Sequence, residues 1–338
     1  MMWRRLVVLI AALMLVSACA PKVAPAGTAS VPVALSESVF NTSDGLQLPV
    51  RRWLPVDNMP KAVVLALHGF NDYSKAFDKV PDAPGVGPTL AAAGIAVYAY
   101  DQRGFGQSPH PGLWAGRDAL VADFKDFIVL LRKTYPGVPV YALGESMGGA
   151  VVIAGLADSA PGFVDGAILA APAVWARSTM PVTYRMALWV GVRLMPGFKP
   201  SGRGLGYQAS DNIEMLRDNG RDPLFIKETR IDSIYGLSNL MDEALARAGQ
   251  VQARTLYLYG QKDEIIPKAP TQEALMAMAG ANRRPQFAFY PNGWHILLRD
   301  KEAPLVLKDV VAFITKPNTP LPSRADEDAI LRLQKAAR

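Results

Sequence analysis

The chain has 338 residues, 50% hydrophobic and 20% charged, with mean hydropathy +0.11, net charge +6 and an isoelectric point near 9.3. That is ample material for a large core, and the length allows one large domain or two small ones. The positive charge forms no run and no aromatic-studded stripe, which argues against nucleic acid as a partner.

The chain opens with a positive segment, Met1-Met2-Trp3-Arg4-Arg5, and an apolar run from Leu6 to Val16 that is too short to span a bilayer as a helix. Val16-Ser17-Ala18-Cys19 follows. The whole resembles a bacterial lipoprotein signal, with residues 1–18 removed and lipid attached to Cys19. Cys19 is the single cysteine, so no intramolecular disulfide and no cysteine metal site is expected. An ordinary secretory signal cut near Ala18 or Ala20 is the alternative. Maturation at Cys19 leaves 338 − 18 = 320 residues and, without Arg4 and Arg5, a charge of +4. The resemblance implies a lipid-anchored protein of the bacterial envelope, at the outer membrane or the periplasmic face. Residues 19–35 are Ala, Pro, Val and small polar residues with no charge after Lys22, and read as a flexible tether.

Glu37–Asn41 and Leu46–Leu54 read as two strands joined by the turn Thr42-Ser43-Asp44-Gly45, and Pro49 suggests that the second is an edge strand. Continuous apolar runs at Ala62–Leu67, Ile95–Tyr100, Pro139–Leu143 and Ala167–Ala171 read as strands buried on both faces. Helical segments separate them: Pro88–Ala93, the amphipathic Asp118–Tyr135, and an apolar run from Ala150. This rhythm predicts an α/β fold with a mostly parallel, doubly wound sheet. It breaks after Pro172. Residues 173–250 hold helical pieces rich in Met and aromatics but no convincing strand, and read as a helical cap inserted over the sheet. The core then spans 36–172 and 251–316, resuming with strands at Thr255–Gly260 and Gln286–Tyr290 and helices at Thr271–Ala279 and Ala303–Ile314. Residues 317–338 read as a peripheral helix or a disordered tail.

Gly144-Glu145-Ser146-Met147-Gly148 has the form G-x-S-x-G between an apolar strand and an apolar helical run, the setting of a nucleophile elbow. An elbow serine needs a base, and a carboxylate to orient that base. His295 is the only histidine after Ser146, and it follows the last strand. The acid is expected after a strand between the two, which makes Asp263 the choice and Glu264 the fallback. Two backbone donors are needed for the oxyanion. The N–H of Met147 is one, and the N–H of Phe70, in the loop after the strand ending at Leu67, is the other. His68 is expected to brace that loop, and exposed His110 carries no role. No cluster has metal-ligand spacing, so neither metal nor cofactor is expected.

With these residues in view, the chain resembles serine hydrolases of the α/β-hydrolase fold, in the monoacylglycerol lipase and lysophospholipase group. The matching stretches include Asp44-Gly45-Leu46, Leu67-His68-Gly69, Asp101 to Ser108, Gly144 to Gly149, Gly260-Gln261-Lys262-Asp263 and Trp294-His295-Ile296-Leu297. Phe70-Asn71-Asp72-Tyr73 departs from the family's usual sequence after the His-Gly pair. The resemblance implies an ester hydrolase acting on acyl esters, such as monoacylglycerols or lysophospholipids, through an acyl-enzyme, with a membrane partner through lipidated Cys19. The alternatives are a general carboxylesterase, a proline-type aminopeptidase of the same fold, and a non-catalytic acyl-binding lipoprotein.

Overall fold

The computed structural model describes residues 20–56, 59–201, 206–280 and 284–336. The signal at 1–18 and Cys19 lie outside them. Among the described residues one sheet runs through the molecule. Strands β1 (Ala34–Leu35), β2 (Val39–Asn41) and β3 (Gln47–Trp53) are antiparallel, and β3 also pairs antiparallel with β5 (Ile95–Tyr100). From β5 the ladder is parallel through β4 (Ala62–Leu67), β6 (Val140–Glu145), β7 (Gly166–Ala170), β8 (Thr255–Gly260) and β9 (Gln286–Tyr290).

Every residue of β4 to β8 is buried, because helices cover both faces. In β4 the side chains alternate: Val63, Leu65 and Leu67 join one core, Ala62, Val64 and Ala66 the other. The first core is closed by α2 (Arg117–Thr134), α3 (Met147–Ala157) and α7 (Lys268–Ala279), the second by α1 (Val86–Ala92) and α8 (Ala303–Thr315).

Pro49 does not mark an edge, since β3 is paired on both sides. Pro49 lies one residue beyond the β3–β5 ladder, which begins at Val50 opposite Tyr100. Only its carbonyl is used there, by the N–H of Asp101 at 2.9 Å.

Between β7 and β8 the chain forms α4 (Val182–Leu194), α5 (Ile213–Arg221) and α6 (Ile231–Arg247). Sequence reading groups all of this as a cap. The structure packs α6 into the main helical layer instead: Leu240, Met241, Ala244 and Leu245, one stripe at helical spacing, lie buried in the same core as Val151 and Val152 of α3.

Residues 20–35, read as a flexible tether, lie against the body. Five N–H groups are spoken for: Lys22 to Asp232 Oδ2 (3.0 Å), Ala24 to Trp114 O (2.8 Å), Gly27 to Asp44 Oδ2 (2.9 Å), Ala29 to Asp44 O (3.4 Å) and Val31 to Ser43 O (3.1 Å). Small residues let the backbone come this close. The described part of the tail is ordered too. Helix α9 (Ala329–Ala336) buries Ala329 and Leu333, and Ala325 O accepts from Phe289 N at 3.0 Å, which covers the open side of β9.

Candidate active site

Ser146 sits between β6 and α3 with φ +51° and ψ −114°, outside the regions open to most L-residues. The surroundings hold it there. Its N–H donates to Ala170 O (3.0 Å), and its carbonyl accepts from Ala150 (3.1 Å) and Ala173 (2.9 Å). The flanking glycines make the turn possible. A Cβ on Gly144 would stand 2.5 Å from the Gly148 backbone, and one on Gly148 would stand 2.1 Å from Leu67 O.

The structure brings Ser146, His295 and Asp263 into one hydrogen-bonded line. His295 Nε2 is 3.0 Å from Ser146 Oγ, and His295 Nδ1 is 2.9 Å from Asp263 Oδ2. An ionised carboxylate can only accept, so Nδ1 carries the proton and the Nε2 lone pair faces the serine hydroxyl. Asp263 is itself fixed, because its Oδ1 accepts from the N–H groups of Ile265 (2.8 Å) and Ile266 (2.9 Å). Glu264, the fallback, is exposed and points elsewhere, accepting from the N–H of Gln208 at 2.7 Å. Burial pulls the His295 imidazole toward the neutral form, but the charge and hydrogen bond of Asp263, with the charge of Glu145, outweigh it. The net shift is above the ordinary histidine value.

Met147 opens α3, and Gly69 lies beside the nucleophile, where a Cβ would stand 3.5 Å from Ser146 Cβ. No acceptor among the described residues takes the N–H of Met147 or Phe70. Both N–H groups are therefore free to donate. His68 braces the loop that carries Phe70: its Nδ1 donates to Gly69 O (2.8 Å) and its Nε2 accepts from Gln102 N (3.0 Å). Burial drives its pKa down, in keeping with a neutral ring. His110 is exposed.

A buried charge cluster lies behind the triad, and sequence reading does not include it. Arg299 Nη2 donates to Asp72 Oδ2 (2.6 Å) and Glu145 Oε2 (2.9 Å). One guanidinium thus ties together the loop of the Phe70 donor, the elbow and the segment four residues past His295. Glu145 Oε1 and Arg299 Nε have no partner among the described residues, and burial raises the pKa of Glu145. The available signals were an acid directly before the nucleophile and an arginine one helical turn after the base. The unusual loop also meets the insertion: Asn71 Nδ2 donates to Thr229 Oγ1 (2.7 Å), and Tyr73 OH to Asp222 Oδ2 (2.8 Å). Among the described residues no group of three or more His, Cys, Asp or Glu side chains is arranged to hold a metal.

This sheet and this line of side chains define a serine hydrolase of the α/β-hydrolase fold. The chain belongs to the family described as serine aminopeptidase, S33, whose model matches residues 58–302. It is 30% identical to a monoacylglycerol lipase of Mycolicibacterium smegmatis over 82% of this chain and 96% of that one. It is 33% identical to human monoglyceride lipase over 43% of this chain and 45% of that one. A soluble variant of Saccharomyces cerevisiae monoglyceride lipase, solved in complex with a substrate analogue, superposes with a TM-score of 0.68 at 19% identity, over 88% of this chain and 100% of that one.

Proposed function

We propose that the natural substrates of this carboxyl ester hydrolase are monoacylglycerol-type lipids, and that it meets them at a bacterial envelope membrane to which acylated Cys19 anchors it. The observation that carries the catalytic reading is the hydrogen-bonded line from Ser146 through His295 to Asp263. Ser146 Oγ attacks the ester carbonyl carbon as its proton passes to His295 Nε2. The carbonyl electron pair moves onto oxygen, where the N–H groups of Phe70 and Met147 receive it. Collapse expels the glycerol oxygen, which takes the proton from His295. Water then repeats the cycle: His295 takes its proton, hydroxide attacks the acyl-serine, and the fatty acid leaves as the proton returns to Ser146. Asp263 holds the tautomer and balances the imidazolium throughout.

The relatives named as monoacylglycerol lipases support the substrate class. An aminopeptidase must bind an α-ammonium group, for which a carboxylate is the natural partner. The chain has no Asp or Glu between Asp165 and Asp211, the stretch that leaves the sheet beside Ser146, which favours an acyl chain there. For the anchor, the support is the lipoprotein-like sequence around Cys19. No described helix is long and apolar enough to cross a membrane.

Turnover is to be compared across glyceryl monoesters, a lysophospholipid and aminoacyl amides, with a serine-reactive fluorophosphonate as the active-site label. Fastest turnover of glyceryl monoesters and labelling lost in Ser146→Ala are expected; faster cleavage of the amides would reverse the substrate reading. Cys19→Ser is expected to leave the membrane fraction after a high-salt wash. Retention there would place the anchor elsewhere.

A further inference from the structure

Among the described residues the backbone of His295 makes no hydrogen bond of its own. Its place is set by its neighbours. On one side Trp294 N donates to Asp300 Oδ2 at 2.9 Å. On the other the chain turns, and the N–H groups of Arg299 and Asp300 both donate to Ile296 O at 3.0 Å. That turn is docked at both ends on the insertion between β7 and β8. Ile296 N donates to Ala209 O at 3.0 Å, Arg299 O accepts from Asn212 Nδ2 at 2.9 Å, and Lys301 N donates to Asp211 Oδ1 at 2.9 Å.

Asn212 is the centre of this dock. It is fully buried, as is Ser210, whose Oγ accepts from Asn212 N at 3.1 Å. Its Nδ2 also donates to Pro81 O at 2.6 Å, in the loop ahead of α1, and its Oδ1 accepts from Met215 N at 3.1 Å, capping α5. One amide thus joins three stretches that are far apart in the chain. A helix cap alone does not call for asparagine, because Ser or Asp caps as well. Two donations and one acceptance from a single short side chain do call for an amide. The residue it grips matters too. The Arg299 guanidinium holds Asp72 and Glu145, so with its carbonyl on Asn212 the turn after the base is fixed from both sides. The insertion also meets the acid loop, where Gln208 N donates to Glu264 Oε2 at 2.7 Å, but that contact is exposed and water competes for both groups.

We propose that Asn212 is a positioning residue for the catalytic base: by holding the turn that follows His295, it keeps Nε2 on Ser146 and Nδ1 on Asp263. It acts through the backbone and touches none of the reacting atoms. The proposal rests on the reading of Ser146, His295 and Asp263 as the triad. Proton transfer depends on sub-ångström geometry, so loosening this dock costs rate and leaves ester binding largely untouched.

The test compares Asn212→Ser and Asn212→Ala in the full-length protein, on a dissolved p-nitrophenyl ester and well below the melting midpoint of each variant. Rates are counted per active site titrated with a fluorophosphonate, so a loss of folded protein cannot imitate the effect. Serine can still cap α5 but makes neither donation. Asn212→Ser is expected to lower kcat about tenfold with KM within about twofold, and to slow fluorophosphonate labelling by a similar factor. Asn212→Ala is expected to lower kcat at least as far and to melt at a lower temperature. Wild-type kcat in folded Asn212→Ser overturns the proposal, since capping is then the whole role. A raised KM at unchanged kcat overturns it as well. If neither variant folds, Asp211→Ala decides. It removes only the grip on Lys301 N and is expected to lower kcat about threefold at unchanged KM, and wild-type kcat there overturns the proposal. Ser146→Ala, assayed in parallel, separates the two readings. Retained turnover refutes the triad and the proposal with it, whereas an inactive Ser146→Ala beside a fully active Asn212→Ser refutes the proposal only.

Discussion

In the loops that follow β6, β8 and β9, each functional residue is held by two or three hydrogen bonds, with Asp263 and His295 buried and Ser146 half-buried. Ser146 is pinned through its own backbone, Asp263 through two N–H groups, and His295 between the two of them. In α4 the large side chains of Met186 and Trp189 stand more than half in solvent. The contrast is one of packing. Chemistry needs groups kept within a few tenths of an ångström, which only dense packing and hydrogen bonding provide.

The largest effects are expected where the frame is tightest. Ser146→Ala is expected to lower kcat/KM about 10⁴-fold or more with the fold intact, as stopped assays and circular dichroism will show together. Asp263→Asn is expected to cost on the order of 10⁴-fold, through the lost charge and the wrong tautomer. Glu264→Gln, which loses only a contact to Gln208, is expected to stay within a few-fold of wild type. If that order is reversed on one ester, the acid has been misassigned.

Arg299→Met tests whether the buried cluster belongs to the frame. It leaves Asp72 and Glu145 facing each other without their shared cation, and urea unfolding is expected to show a loss of about 3–5 kcal/mol.

A subtler effect is expected in the pH profile. His295 must be neutral to accept the serine proton, so activity is lost as pH falls through its pKa. That pKa is raised, which places the acid limb above the ordinary histidine value of about 6.5. The charge of Glu145 contributes to the rise. Glu145→Gln is therefore expected to move the limb to lower pH, and a shift the other way would show that Glu145 acts on His295 by something other than charge. The smallest effect is expected in α4: Met186→Gln gives up little burial and is expected to change stability by no more than about 0.5 kcal/mol in the same urea titration.

Much of this was legible in the sequence because it is local. Strands buried on both faces announce themselves as unbroken apolar runs, and Ala62–Leu67, Ile95–Tyr100, Thr255–Gly260 and Gln286–Tyr290 are strands at those bounds. The elbow is a five-residue pattern whose glycines are forced by backbone contact, and the scarcity of histidine left one candidate base. What the sequence by itself determined is therefore the strand–helix rhythm, the elbow, and the short list from which Asp263 and His295 were drawn. Only the tertiary structure decided the partners that lie far apart in the chain. Arg299 meets Glu145 across 154 positions, and Lys22 meets Asp232 across 210. Neither pairing leaves a periodicity to read. Proline- and alanine-rich composition predicts freedom for residues 20–35, yet composition says nothing of whether N–H groups find acceptors on a surface folded elsewhere. The same holds for α4 and α6. Both show helical apolar stripes, and a stripe states that a face seeks cover without saying whether the rest of the chain supplies it. For α6 the sheet layer does; for α4 it does not.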